Sequence, residues 1–209
     1  MRTVLCFGDS ITWGFHAADE SRFPWEARWP GVLAARLGPE YRILEEGLAG
    51  RTTMVDPPFL DGRSAKAVYP MLLETHSPLD AVLIMLGTND LQPVLRLTVE
   101  EIAWGCAGLL RTTALSRFGP GGAPPKAMLI TPPALGELKG AMASAFVGRE
   151  ADSRRLHAVY APVAGMFGAA SFEAGAVCSA GTADGVHLDQ AGQLALGRAL
   201  EGPVRALLG

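Results

Sequence analysis

Three short apolar runs each deliver residues able to do chemistry, and a fourth such segment follows later. Residues 3–7 lead into Gly8-Asp9-Ser10-Ile11-Thr12, residues 41–45 into Glu46-Gly47-Leu48-Ala49-Gly50-Arg51-Thr52, and residues 81–86 into Gly87-Thr88-Asn89-Asp90. Beyond a further run at 170–173 lies Asp184-Gly185-Val186-His187. A serine hydroxyl is a weak nucleophile at neutral pH and needs a base to take its proton. Histidine suits that task, and a carboxylate on one ring nitrogen fixes the tautomer and leaves the other nitrogen free. Of the four histidines (16, 76, 157 and 187), only His187 has an acid three residues before it, in a Gly-containing loop. Ser10, His187 and Asp184 are thus the expected nucleophile, base and orienting acid. An oxyanion formed on attack would need N–H donors, each worth about 10²–10³ in rate. Three are available: the Ser10 N–H at the mouth of a helix, the Gly50 N–H where no Cβ blocks approach, and the Asn89 side-chain amide.

The elements that must position these groups alternate along the chain. Strand-like runs fall at 3–7, 41–45, 81–86, 127–131 and 170–173, and several are nearly continuous in Val, Ile, Leu and Met, as strands covered on both faces must be. Helix-like segments fall at 29–37, 65–76, 99–117, 148–167 and 190–208. Thr98 with Glu101 forms a capping box ahead of the third, Asp189 caps the last, and Pro203 should kink or split it. Residues 118–125, with three glycines and three prolines, read as a loop within one domain spanning 1–209. Such alternation predicts a parallel sheet with helices on both faces, whose ligands bind at the carboxyl ends of the strands. The chemistry-bearing residues sit just after those ends.

Ser10, Gly50, Asn89 and His187, in that order, resemble the sequence blocks of the SGNH (GDSL) hydrolase family. Gly8-Asp9-Ser10-Ile11 carries Ile where the family usually has Leu, and Gly47 stands where many members carry asparagine. Gly87-Thr88-Asn89-Asp90 and Asp184-Gly185-Val186-His187 match unaltered. The phrases Cys6-Phe7-Gly8-Asp9-Ser10, Thr12-Trp13-Gly14, Arg28-Trp29, Glu45-Glu46-Gly47-Leu48 and Arg51-Thr52-Thr53 are similar to one branch, small bacterial arylesterases, some of which also transfer acyl groups to alcohols or peroxide. Likeness runs from about residue 3 to the C-terminus and is weakest at 91–97 and 137–149.

The resemblance implies an α/β fold, a three-layer α/β/α sandwich with a five-stranded parallel sheet, flavodoxin-like. It also implies a cofactor-free and metal-free serine esterase for short-chain aryl or alkyl esters. The alternative is a carbohydrate O-acetylesterase or a lysophospholipase- or thioesterase-type deacylase. Phe15, five residues past the nucleophile, is expected to touch substrate together with Leu91 and Val186. Leu95, Leu135, Leu138 and Phe146, like Leu91, either rim the pocket or bury a subunit interface, and homo-oligomers occur in the branch. Asp9 and Asp90 are read as loop-holding residues and His76 as a helix cap. Trp13, Phe23, Trp25 and Trp29 are read mainly as packing.

Composition narrows the rivals. The chain has 209 residues, 49% hydrophobic and 19% charged, with a net charge of −3. Apolar content suffices for a core, and there is no basic field for nucleic acid or an anionic membrane. No apolar run reaches bilayer length, and Met1-Arg2 leads straight into the first strand without a signal-type region. Three cysteines (Cys6, Cys106, Cys178) without CxxC spacing fit a reducing compartment, so the expectation is a cytoplasmic enzyme. A metal-dependent phosphoesterase could draw on Asp9, Asn89, Asp90 and His187, but four scattered histidines are few for such a site. Neither GxGxxG nor GxxxxGK[ST] occurs, which excludes those nucleotide cradles.

Overall fold

The computed structural model describes residues 1–209. In chain order, the strands are β1 (Arg2–Gly8), β2 (Phe15–His16), β3 (Ser21–Arg22), β4 (Tyr41–Gly47), β5 (Ala81–Met85), β6 (Lys126–Thr131) and β7 (Ala170–Glu173). The α-helices are α1 (Ser10–Trp13), α2 (Trp29–Leu37), α3 (Ala65–Thr75), α4 (Val99–Leu115), α5 (Gly140–Ala145), α6 (Glu150–Met166), α7 (Gln190–Ala199) and α8 (Glu201–Leu208). Five strands form one sheet in the order β4-β1-β5-β6-β7, every pair parallel; β2 and β3 form a separate antiparallel hairpin. The order reverses between β1 and β5, the crevice where open α/β sheets of this flavodoxin-like order bind their ligands.

Strand alternation divides the core in two. Leu5, Phe7, Val82, Ile84 and Leu129 face α3, α4 and α6, where Tyr69, Leu73, Ile102, Leu110, Leu156 and Tyr160 are buried. Val4, Cys6, Leu83, Met85, Met128 and Ile130 face α2, α7 and α8, meeting Trp29, Leu33, Leu196, Leu200 and Val204. Alternate residues of the inner strands therefore serve opposite layers, which is why β5 is apolar throughout, whereas the edge strands β4 and β7 carry charged residues. The Thr98–Glu101 capping box starts α4, and the Asp189 carboxylate accepts the Gly192 N–H at the start of α7.

The last helix splits at Leu200, as Pro203 led one to expect, with Pro203 in the first turn of α8, where a missing N–H costs nothing. Other elements differ from the sequence expectation. The sixth helix starts at Glu150 and not at 148, and β5 stops at Met85. The helix expected at Ser10 is the short α1, whereas α5 and the β2–β3 hairpin had not been anticipated. Leu91 (1% exposed), Leu135 and Phe146 are packed into the larger core cluster, with Leu138 against its edge. Leu91, Leu135 and Phe146 are accordingly core residues, while Leu138 stays partly exposed. No helix is long and apolar enough to cross a membrane.

Candidate active site

The nucleophile candidate is fixed by the short helix that follows β1. Asp9 caps α1 by accepting the Ile11 N–H at 2.9 Å, so Ser10 becomes the first helical residue, 7% exposed. The helix lies flush on the end of β4: a Cβ on Gly47 would come within 2.2 Å of the Trp13 nitrogen. From the other side, Gln193 of α7, fully buried, donates to Ile11 O at 2.9 Å and accepts the Trp29 N–H at 2.9 Å.

His187 Nε2 lies 2.9 Å from Ser10 Oγ, and His187 Nδ1 lies 2.5 Å from Asp184 Oδ2. The other carboxylate oxygen, Asp184 Oδ1, accepts the N–H groups of Val186 and His187 at 2.9 and 3.0 Å. Burial alone would raise the Asp184 carboxyl, but these hydrogen bonds outweigh it and hold the group below its ordinary value, so it is an anion at neutral pH. The loop is clasped by neighbours: Gly136 N–H donates to Gly185 O (2.8 Å), Lys139 N–H to Asp184 O (3.0 Å) and Gly181 N–H to His187 O (2.7 Å). The Phe15 ring, half-buried, packs on the His187 ring with centroids 4.5 Å apart. Of the three expected substrate contacts, Phe15 stands beside the histidine. Leu91 is buried in the core instead, and Val186 (5% exposed) packs into the same cluster behind the loop.

The three expected donors stand on the loops that follow three separate strands, β1, β4 and β5. The backbone N–H groups of Ser10 and Gly50 donate to no protein acceptor. Gly50 has φ +76°, a left-handed backbone that favours glycine. Asn89, 8% exposed, donates through Nδ2 to Arg51 O at 3.1 Å and lies 3.5 Å from Asp9 Oδ2, while Gln92 Nε2 approaches its Oδ1 at 3.4 Å. Two free amides and an oriented side-chain amide beside a hydroxyl can receive a developing negative charge.

The remaining acids hold loops. Asp90, fully buried, accepts Thr53 N–H and Oγ1–H at 2.9 and 2.6 Å, tying the β5 loop to the β4 loop. Burial pushes both Asp90 and Asp9 up to about 6, partly offset by hydrogen bonds from Thr53 and from the Ile11 amide. His76 ends α3 and pairs with Glu46 at 2.7 Å, His16 pairs with Asp19 at 2.7 Å, and His157 Nδ1 meets Thr131 Oγ1 at 3.2 Å. No three His, Cys, Asp or Glu side chains converge as a metal-binding group. A cleft of about 470 Å³ between α3 and α4, lined by Met54, Lys66, Leu109 and Leu115, lies apart from Ser10 and His187. Sequence reasoning missed Thr53, Arg51 and Gln193 as parts of this site. A polar residue on the apolar stripe of α7 was the available signal for Gln193.

Fold and site together define a hydrolase of the SGNH type, a parallel α/β sheet with a Ser-His-Asp hydrogen-bond chain at its switch point. Residues 6–195 match the GDSL-like lipase/acylhydrolase family, and the chain belongs to it. Among solved structures it is similar to the native aryl esterase of M. smegmatis (38% identity, 100% of both chains, TM-score 0.95). It is equally similar to Est24, a carbohydrate acetylesterase from Sinorhizobium meliloti (38% identity, 99% of this chain and 100% of that one, TM-score 0.94). No curated protein matches the sequence.

Proposed function

We propose that this esterase-family hydrolase is a serine carboxylesterase for short-chain aryl or alkyl esters, working through an acyl-enzyme on Ser10. The observation that carries the reading is the continuous chain from Ser10 Oγ through His187 to Asp184, at 2.9 and 2.5 Å, beside two unpartnered amides. Ser10 Oγ attacks the ester carbonyl as its proton passes to His187 Nε2. The oxyanion is received by Ser10 N–H, Gly50 N–H and Asn89 Nδ2, while Asp184 stabilises the imidazolium. On collapse, His187 returns the proton to the leaving alcohol. Water then enters by the same base and releases the acid; an alcohol or peroxide in its place would give acyl transfer. The partner is a small-molecule ester.

Two further features belong to the same reading. The free thiols Cys6, Cys106 and Cys178 fit a cytoplasmic enzyme. Phe59 (68% exposed) and Leu60, whose Cδ2 would lie 3.3 Å from a Cβ on Gly50, leave an apolar edge beside the donors that a homo-oligomer would cover. A second substrate class is kept because Est24, a carbohydrate acetylesterase, is as similar as the aryl esterase.

Release of p-nitrophenol from an acyl series, C2 upward, tests the proposal alongside acetylated sugars. Wild-type turnover that resists EDTA and is lost in Ser10→Ala supports it; equal rates in both proteins overturn it. Preference for acetylated sugars over aryl acetates would favour the second class, and a long-chain optimum a lysophospholipase- or thioesterase-type deacylase.

A further inference from the structure

Arg51 is 4% exposed, yet its guanidinium forms no ion pair; Glu46, five residues earlier, pairs with His76 at 2.7 Å. Nη1 donates to two backbone carbonyls, Gly8 O at 2.7 Å and Glu46 O, and Nε is buried without a partner. The guanidinium carbon lies 4.3 Å from the centroid of the Phe7 ring. Burial pulls this guanidinium down to about 10 against the opposing fields of Glu46 and Asp9. Holding a cation this way is costly, because its desolvation is offset by two carbonyls, one ring face and the fields of Glu46 and Asp9, with no ion pair. A methionine over Phe7 would fill the space without that cost. Stability does not explain an arginine here.

Its contacts do. Gly8 ends β1, two residues before Ser10, and Glu46 lies four residues before Gly50. The Arg51 carbonyl accepts Asn89 Nδ2 at 3.1 Å. Each of the three oxyanion donors is thus joined to Arg51 by a hydrogen bond or a few backbone bonds. We propose that Arg51 is the positioning residue of the oxyanion hole: its guanidinium locks the ends of β1 and β4 together, and its carbonyl aims Asn89. The proposal rests on the serine-esterase reading. Arg51 touches no substrate, so its loss acts through donor placement, where a misplacement of about 1 Å costs roughly 10²-fold.

The test uses Arg51→Met and Arg51→Lys, with active sites counted by a fluorophosphonate and turnover of p-nitrophenyl acetate expressed per counted site. Inhibition by an aryl trifluoromethyl ketone is measured in parallel, since its adduct places an oxyanion among the three donors. Arg51→Met should lower kcat about 10–100-fold with KM within about twofold, and ketone affinity should fall with kcat/KM. Arg51→Lys, which can reach one carbonyl, should lie between and carries the test if the Met variant does not fold. In an Asn89→Ala background the Lys substitution should cost less than it does alone. Wild-type kcat per counted site, a loss confined to KM, or full additivity with Asn89→Ala would overturn the assignment. Retained turnover in Ser10→Ala would overturn the esterase reading and this proposal together; loss there with unchanged Arg51 variants would overturn this proposal alone.

Discussion

Replacing Asp184 by Asn should do more damage than its near-isosteric shape suggests. Asp184 Oδ1 accepts two backbone N–H groups and Oδ2 faces His187 Nδ1. An asparagine has one oxygen and one NH₂ to offer these two positions. With its oxygen kept on the backbone pair, the NH₂ points at Nδ1, which must then be a lone pair. The ring proton moves to Nε2, and His187 can no longer accept from Ser10. With the amide flipped, the ring tautomer is right but two backbone donors face an NH₂. Each donor left without an acceptor costs about 1–3 kcal/mol, so the competent state lies roughly 2–6 kcal/mol above the incompetent one. At about 1.4 kcal/mol per decade, that is roughly 30- to 10⁴-fold in kcat, before counting the lost charge opposite the imidazolium. Turnover of p-nitrophenyl acetate per titrated site measures it, with KM little changed. Asp184→Ala, which imposes no tautomer, should be no worse than the Asn variant. An Asn variant keeping more than about one tenth of wild-type kcat would refute the tautomer argument.

Asn89→Ala should fold normally, judged by its urea midpoint, and lose about 10²–10³ in kcat, since it removes one oxyanion donor; an unchanged rate would remove Asn89 from that role. Asp90 and Asp9 are raised to about 6 in the folded state, against about 3.9 unfolded, so the native protein binds extra protons between these values. Stability therefore falls as pH rises from about 4 to 6, by at most about 3 kcal/mol per group, and the cost is complete above that window. Asp90→Asn should flatten that fall in urea unfolding at pH 4.5 against pH 7, whereas an unaltered pH dependence would count against a titrating Asp90. Gly47→Ala drives a Cβ to 2.2 Å from the Trp13 backbone, so it should displace α1, cost about 1–3 kcal/mol in thermal or urea unfolding, and reduce fluorophosphonate labelling of Ser10. Normal stability with normal labelling would refute that packing.

Much of this architecture was legible because strong local signals agreed with global ones. Residues 81–85 are apolar at every position and sit at the centre of the sheet, and Thr98 and Glu101 form the capping box their spacing announced. The segments carrying Ser10, Gly50, Asn89 and His187 were readable because each follows a strand end. What stayed hidden was too short or too uniform to have a period. The hairpin strands have two residues each, and Gly140–Ala145 reads Gly-Ala-Met-Ala-Ser-Ala with no apolar stripe. Depth was hidden too. Leu91 looks like a loop leucine in sequence and lies in the core, because the chain after β5 turns inward to let Asp90 reach Thr53. Arg51 defied the ordinary expectation that arginines stay wet.

Ser10 and His187 are 177 residues apart, nearly the length of the chain, yet their side chains meet at 2.9 Å. On the proposed mechanism the nucleophile is synthesised long before its base. No nascent or truncated chain ending before residue 187 can hold the pair, so on the proposed mechanism catalytic power is absent until the segments carrying both residues have docked on the sheet. Contacts of such long sequence separation form late on average, after the local helices and the central strands. Recovery of turnover after dilution from denaturant is therefore a clock for the last step of folding, and it should lag behind the return of helical signal.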